Sequence, residues 1–121
     1  MKTELTLYNL PKVSLNQVYS GIHWQKRKKM KDTYSLIIRN QFKGLFPKNK
    51  KYHVEYEYFF KKQPLDASNC LYSAKMIEDV IFQDDKWDIV LSLKVSSKKG
   101  KEDSVKITIT EVVGNTQTEM F

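Results

Sequence analysis

Residues 52–95 read YHVEYEYFFKKQPLDASNCLYSAKMIEDVIFQDDKWDIVLSLKV, and their periodicity decides the fold. Tyr52, Val54, Tyr56, Tyr58 and Phe60 alternate with His53, Glu55, Glu57 and Phe59, the two-residue period of a strand with one buried face. Beyond Pro64 the period lengthens. Cys70, Ala74, Ile77 and Ile81 recur at helical spacing, which predicts a helix from about Asn69 to Phe82. Trp87, Ile89, Leu91, Leu93 and Val95 then return to alternation. The centre of the chain is therefore a strand, a helix and a second strand.

The flanks extend this unit. Thr3 to Tyr8 places Leu5 and Leu7 on one side, a first strand ended by Pro11, and Val13 to Gly21 reads as a loop. From about Trp24 to Lys43, Met30, Tyr34, Ile37, Ile38 and Phe42 mark a long amphipathic helix closed by Gly44 and Pro47. SSKKGKED supplies a turn around Gly100, after which Val105, Ile107 and Ile109 are expected as the hairpin partner of the preceding strand. The order β-α-β-α-β-β predicts a small α/β (α+β) domain over residues 1–113, with two main helices on one or both faces of a mixed sheet. Residues 114–121 read as a flexible tail.

With 121 residues, 40% of them apolar and 29% charged, the chain suits one globular domain. The net charge of +7 favours a polyanionic partner, because neutralising phosphates releases condensed counterions. Cys70 is the single cysteine, so no internal disulfide can form and cysteine-based zinc binding is excluded. The first residues carry Glu4 and no apolar core, and no stretch approaches the length of a membrane span; the expectation is a cytoplasmic protein with no membrane partner.

Against this basic background Asp66, Asp79, Asp84 and Asp85 gather around the helix of residues 69–82, with Lys75 among them. Each has an ordinary use: Asp66 or Ser68 as a helix cap, Lys75 and Asp79 as a surface pair, Asp84 and Asp85 as a solvated turn. Together they would repel unless something offset the charge, most simply a metal ion. A helix over those residues is about 20 Å long, so its ends share one ion only if the flanking loops fold back or a second subunit supplies one end.

The order of these residues resembles the core of the RusA family of Holliday junction resolvases: an Asp-x-Asp-Asn entrance, a helical Lys, an Asp four residues later, and an Asp-Asp pair before the next strand. Asp66 and Asn69 match the entrance, Lys75 and Asp79 the helix, and Asp84 and Asp85 the pair. Upstream, SLNQVY from Ser14 to Tyr19 is similar to the family's Ser-x-Asn-x-x-Tyr loop. The pattern departs at Ser68, which replaces the second entrance Asp, and in the shortened span between Asp79 and Asp84. The resemblance implies an endonuclease for branched DNA in recombination and repair that uses Mg²⁺, or Mn²⁺ in its place. It implies Asp66, Asp79, Asp84 and Asp85 as metal ligands, with Asp66, Asp85 and Lys75 as catalytic residues. It also implies a homodimer, in the cytoplasm of a bacterial or phage-infected bacterial cell. The alternative left open by Ser68 is a protein of the same fold that binds branched DNA with weakened or lost catalysis.

HWQKRKKMK sets Lys26, Arg27, Lys28, Lys29 and Lys31 in a run without an acid until Asp32, and these five residues, with Asn16 and Asn69, are expected to contact DNA. Trp24 is expected to anchor in the core, with packing on a base or a junction arm as the alternative, and His23 and His53 to be structural. A second side of the helix of residues 69–82, formed by Tyr72, Met76 and Val80, is expected to meet another subunit, with Lys75, Glu78 and Asp79 left as its polar surface. At the C-terminus, Gln117, Met120 and Phe121 resemble the Gln-x-x-Leu-Phe peptide by which bacterial DNA-processing proteins bind the sliding clamp.

Overall fold

The computed structural model describes residues 1–19 and 24–112. Its elements are β1 (Lys2–Tyr8), α1 (Leu15–Tyr19), α2 (Trp24–Gln41), β2 (Tyr52–Phe60), α3 (Leu71–Ile81), β3 (Val90–Lys99) and β4 (Ser104–Glu111). The mixed sheet and two main helices follow the predicted order. The short helix α1 falls where a loop was expected. The proposed clamp-binding residues Gln117, Met120 and Phe121, like His23, lie outside the described residues.

Strand β2 forms because its five alternate apolar residues are all buried, from Tyr56 at 0% exposure to Phe60 at 7%. It is also the strand that organises the sheet. The order is β1-β4-β2-β3, with β3 parallel to β2 and β4 antiparallel to both β1 and β2. The expected β3–β4 hairpin is thus corrected: the chain does reverse, but β2 lies between the two strands. Pairing with β2 on both sides buries Tyr56 and Ile107 completely and satisfies both edges of the most apolar strand. The connection crosses the end of β2, where the Gly100 amide donates to the Phe60 carbonyl at 2.9 Å. A Cβ at Gly100 would stand 2.8 Å from that of Phe59, so only glycine passes here without displacement.

Helices α2 and α3 cover one face of the sheet. Tyr34 and Ile38 of α2, and Ala74, Ile77 and Ile81 of α3, join Leu7, Val54, Tyr56, Val105 and Ile107 in a single core. Met76, on the second apolar side of α3, is 2% exposed within one chain, and Tyr72 and Val80 pack against the same core. The cover assigned to another subunit therefore comes from the chain itself, with α2 bound to α3 through Tyr34 and Arg39.

A chain of hydroxyls joins the layers. Tyr58 donates to Ser73 Oγ at 2.8 Å, Ser73 and Tyr34 share a hydrogen bond of 3.0 Å, and the Tyr34 hydroxyl donates to the Pro11 carbonyl. One proton per hydroxyl satisfies every link if Ser73 donates to Tyr34. Burial pushes the Tyr34 phenol up to about 12, so it remains a donor at any working pH. Ser73→Ala leaves two buried phenols short of a partner, and urea unfolding should show a loss of about 2 kcal/mol.

The opposite face of the sheet is open and polar. Glu55, Glu57 and Glu4 lie 3.9, 3.7 and 3.4 Å from Lys94, Lys98 and Lys106 across neighbouring strands. Such pairs stabilise little, but acids and lysines cancel there. The chain's excess positive charge lies elsewhere.

Candidate functional site

Lys75 rises from the exposed side of α3. Its ammonium lies 3.5 Å from Asp79, one helical turn on, and against the carboxylate of Asp85, which the loop after α3 folds back to meet it. Burial works against the lysine's charge, but the Asp85 hydrogen bond and the charge of Asp79 prevail and raise its pKa. The structure thus brings together three of the residues singled out in the sequence.

Behind them lies a residue that sequence reasoning placed on the surface. Glu78 is only 6% exposed, and its Oε1 is buried with no hydrogen-bond partner among the described residues. The Tyr56 hydroxyl, on the facing strand, is in the same condition. Desolvation, with the charge of Asp85 second, raises Glu78 from the usual carboxylate value to about 7. Burial, with Glu78 second, raises Tyr56 well above an ordinary tyrosine. The signal was available: Glu78 follows Ala74 by four residues and precedes Ile81 by three, so it borders the buried stripe.

The other acids stand apart. Asp84 Oδ1 accepts the Lys86 amide at 3.2 Å, and its carboxylate lies 3.7 Å from the Lys86 ammonium. Asp66 begins the 3₁₀ turn Ala67–Cys70 that leads into α3; its carbonyl accepts the Asn69 amide at 2.9 Å, while its side chain makes no cap bond. The 11 residues of α3 separate it from Asp84 and Asp85, about 16 Å at the rise of a helix. Among the described residues no three His, Cys, Asp or Glu side chains converge to hold a metal ion. As arranged in one chain, Asp66, Asp79, Asp84 and Asp85 do not fit a single Mg²⁺ or Mn²⁺.

Two expected DNA contacts do meet. Asn69 Oδ1 accepts the Asn16 amide at 3.3 Å, which ties α1 to the entrance of α3. The basic run forms its own feature. Every residue from Trp24 to Lys29 is exposed, and no carboxylate among the described residues pairs with Lys26, Arg27, Lys28, Lys29 or Lys31. Trp24 is 60% exposed, which corrects the expectation that it anchors in the core. It stands at the first residue of α2, and the five hydrophilic residues that follow it, Gln25 to Lys29, are exposed as well. Trp87, expected in a strand, lies before β3 and is 86% exposed. His53 Nδ1 sits 2.6 Å from Ser92 Oγ on the open face of the sheet.

No protein-family model matches the chain, and no curated protein is significantly similar to it. Among the described residues no helix is long and apolar enough to cross a membrane.

Proposed function

We propose that this protein binds branched DNA, four-way junctions above all, and cuts it as a structure-selective endonuclease of the RusA-like kind. The observation that carries the reading is the exposed run from Lys26 to Lys31, five cations in six residues, none of which pairs with a carboxylate among the described residues. Cations without acidic partners neutralise phosphates at little desolvation cost and release counterions on contact. The cutting function rests on Lys75. An ammonium held in place by Asp79 and Asp85 is positioned to offset charge that develops on a phosphate in the transition state.

The reading expects a Mg²⁺ requirement, with Mn²⁺ as substitute, and an ion shared between the two ends of α3 would need a second copy of the chain to supply one of them. A homodimer is accordingly part of the proposal, and its two-fold symmetry suits a four-way junction. Docking of residues 117–121 on a bacterial sliding clamp is proposed on their sequence alone. A second reading, junction binding without cutting, is favoured by two features: Ser68 stands where the resemblance expects an acid, and the carboxylates are dispersed.

Binding tests the foundation of both. Replacing Lys26 and Arg27 by glutamine should weaken affinity for all DNA sequences alike and flatten its salt dependence by about one unit of slope per lost contact. An unchanged slope in a filter-binding titration would return the run to an ordinary solvated helix face.

A further inference from the structure

The loop that brings Asp85 to Lys75 runs on, two residues later, into the most exposed large apolar side chain among the described residues: Trp87, at 86%. Its backbone is braced. The Lys86 carbonyl accepts the amides of Ile89 and Val90 at 2.9 and 3.0 Å, and the Tyr52 amide donates to the Ile89 carbonyl at 2.8 Å. The Lys51 ammonium donates to the Asp88 carbonyl at 2.8 Å, and the buried side chain of Ile89 anchors the turn in the core. Among the described residues no aromatic ring stacks on the Trp87 indole and no cation lies over it. A wide apolar ring is thus held out in water on a fixed turn, forgoing the burial it would gain elsewhere.

The surroundings select what covers it. An anionic membrane would be repelled by Asp84, Asp85 and Asp88, which share the loop. A protein partner takes a contiguous apolar patch, whereas the chain on either side of Trp87 is charged from Asp84 to Asp88, and the nearest apolar residues, Phe82 and Ile89, are buried in the core. One flat apolar surface among charged groups suits a nucleic-acid base, with ammonium groups for the adjoining phosphates. Two are at hand: Lys75, and Lys86, which lies 3.7 Å from Asp84. The backbones of Asp85 and Trp87 are at most about 7 Å apart, so a base on the indole belongs to a nucleotide close to the Lys75–Asp85 pair. We propose that Trp87 is a base-stacking platform beside that pair, which takes an unpaired base of a DNA strand while Lys75 and Lys86 meet the adjoining phosphates. The inference rests on the DNA-binding reading and adds to it the feature recognised, a base released from its pair, such as a branch point offers. A base inside an intact duplex has no free face to give.

The test uses full-length protein with Trp24→Phe, which leaves Trp87 as the only tryptophan. Three DNAs of equal length are titrated: oligothymidylate, the same backbone with abasic sites, and a paired duplex. Oligothymidylate should quench Trp87 fluorescence and the abasic strand should not. In the otherwise unaltered chain, Trp87→Ala should cost about tenfold to a hundredfold in affinity for oligothymidylate while leaving duplex binding and its salt slope unchanged, and Trp87→Phe should retain most of the affinity. Loss of duplex binding in equal measure would overturn the platform and leave DNA binding standing, as would an unchanged affinity for oligothymidylate. Failure of the unaltered protein to bind any of the three would overturn both. Trp87 emission that shifts with protein concentration in the absence of DNA, and ignores oligothymidylate, would assign the indole to a contact between copies of the chain instead.

Discussion

Asp85→Asn should reduce junction cutting by about a hundredfold or more while junction affinity stays within about twofold. The substitution preserves size and removes the charge that holds Lys75, whose remaining partner is Asp79 at 3.5 Å. Positioning is lost at the proposed cleavage site and nowhere else, since Asp85 makes no contact with the basic run of α2. A second readout separates this from general damage. The Asp85 charge helps to raise Glu78, so Glu78 should titrate at lower pH in the variant, visible in its carboxyl carbon resonance. Cutting at the unaltered rate would show that Lys75 and Asp85 do not mark the site.

Glu78 itself supplies the largest expected effect on stability. Its pKa is about 7 in the folded chain and near 4.5 when unfolded, so between those values the folded state binds the extra proton. Stability should therefore fall as pH rises through that window, by about 3 kcal/mol from this group, and stay low above pH 7. Glu78→Gln removes the titration. In a metal-free buffer the variant should be more stable than the parent at pH 8 by about 2–3 kcal/mol and indistinguishable near pH 4.5, where both side chains are neutral. Guanidinium unfolding at the two pH values measures the difference. An equal effect at both would assign the burial cost of Glu78 to shape rather than charge.

Why a chain should keep a carboxylate with one buried, unbonded oxygen beside Tyr56 is answered by the charges around it. Lys75, Asp79 and Asp85 lie on its solvent side, and proton uptake at Glu78 is coupled to all three. The cost in stability lies at the same place as the proposed chemistry, the usual location of such costs.

The elements legible in the sequence were those whose side-chain period matches their burial. Tyr52 through Phe60 alternate and are buried in alternation; Ala74, Ile77 and Ile81 repeat at helical spacing and are all at 0% exposure. The place of β4 was not legible, because alternation tells a strand's faces and not its neighbours, and sequence adjacency favoured β3 over β2. Glu78 was misplaced because its charge outweighed its position beside the apolar stripe. Trp24 was misplaced for the opposite reason: its apolar character suggested the core, while the cations that follow it hold that end of α2 in water. Asp66 and Asp85 are near in the sequence motif, yet the 11 residues of α3 stand between them and no described group of three acids gathers to hold an ion.

The most direct test of the account is strand scission. Purified protein is incubated with a labelled four-way junction and with a linear duplex of the same arms, each with Mg²⁺ and with chelator, and the products are separated on a denaturing gel. Symmetric nicks are expected in the junction with Mg²⁺, none with chelator, and an intact duplex throughout. A junction that is bound yet intact would favour the reading without catalysis; a protein that binds the junction no better than the duplex and cuts neither would contradict the account.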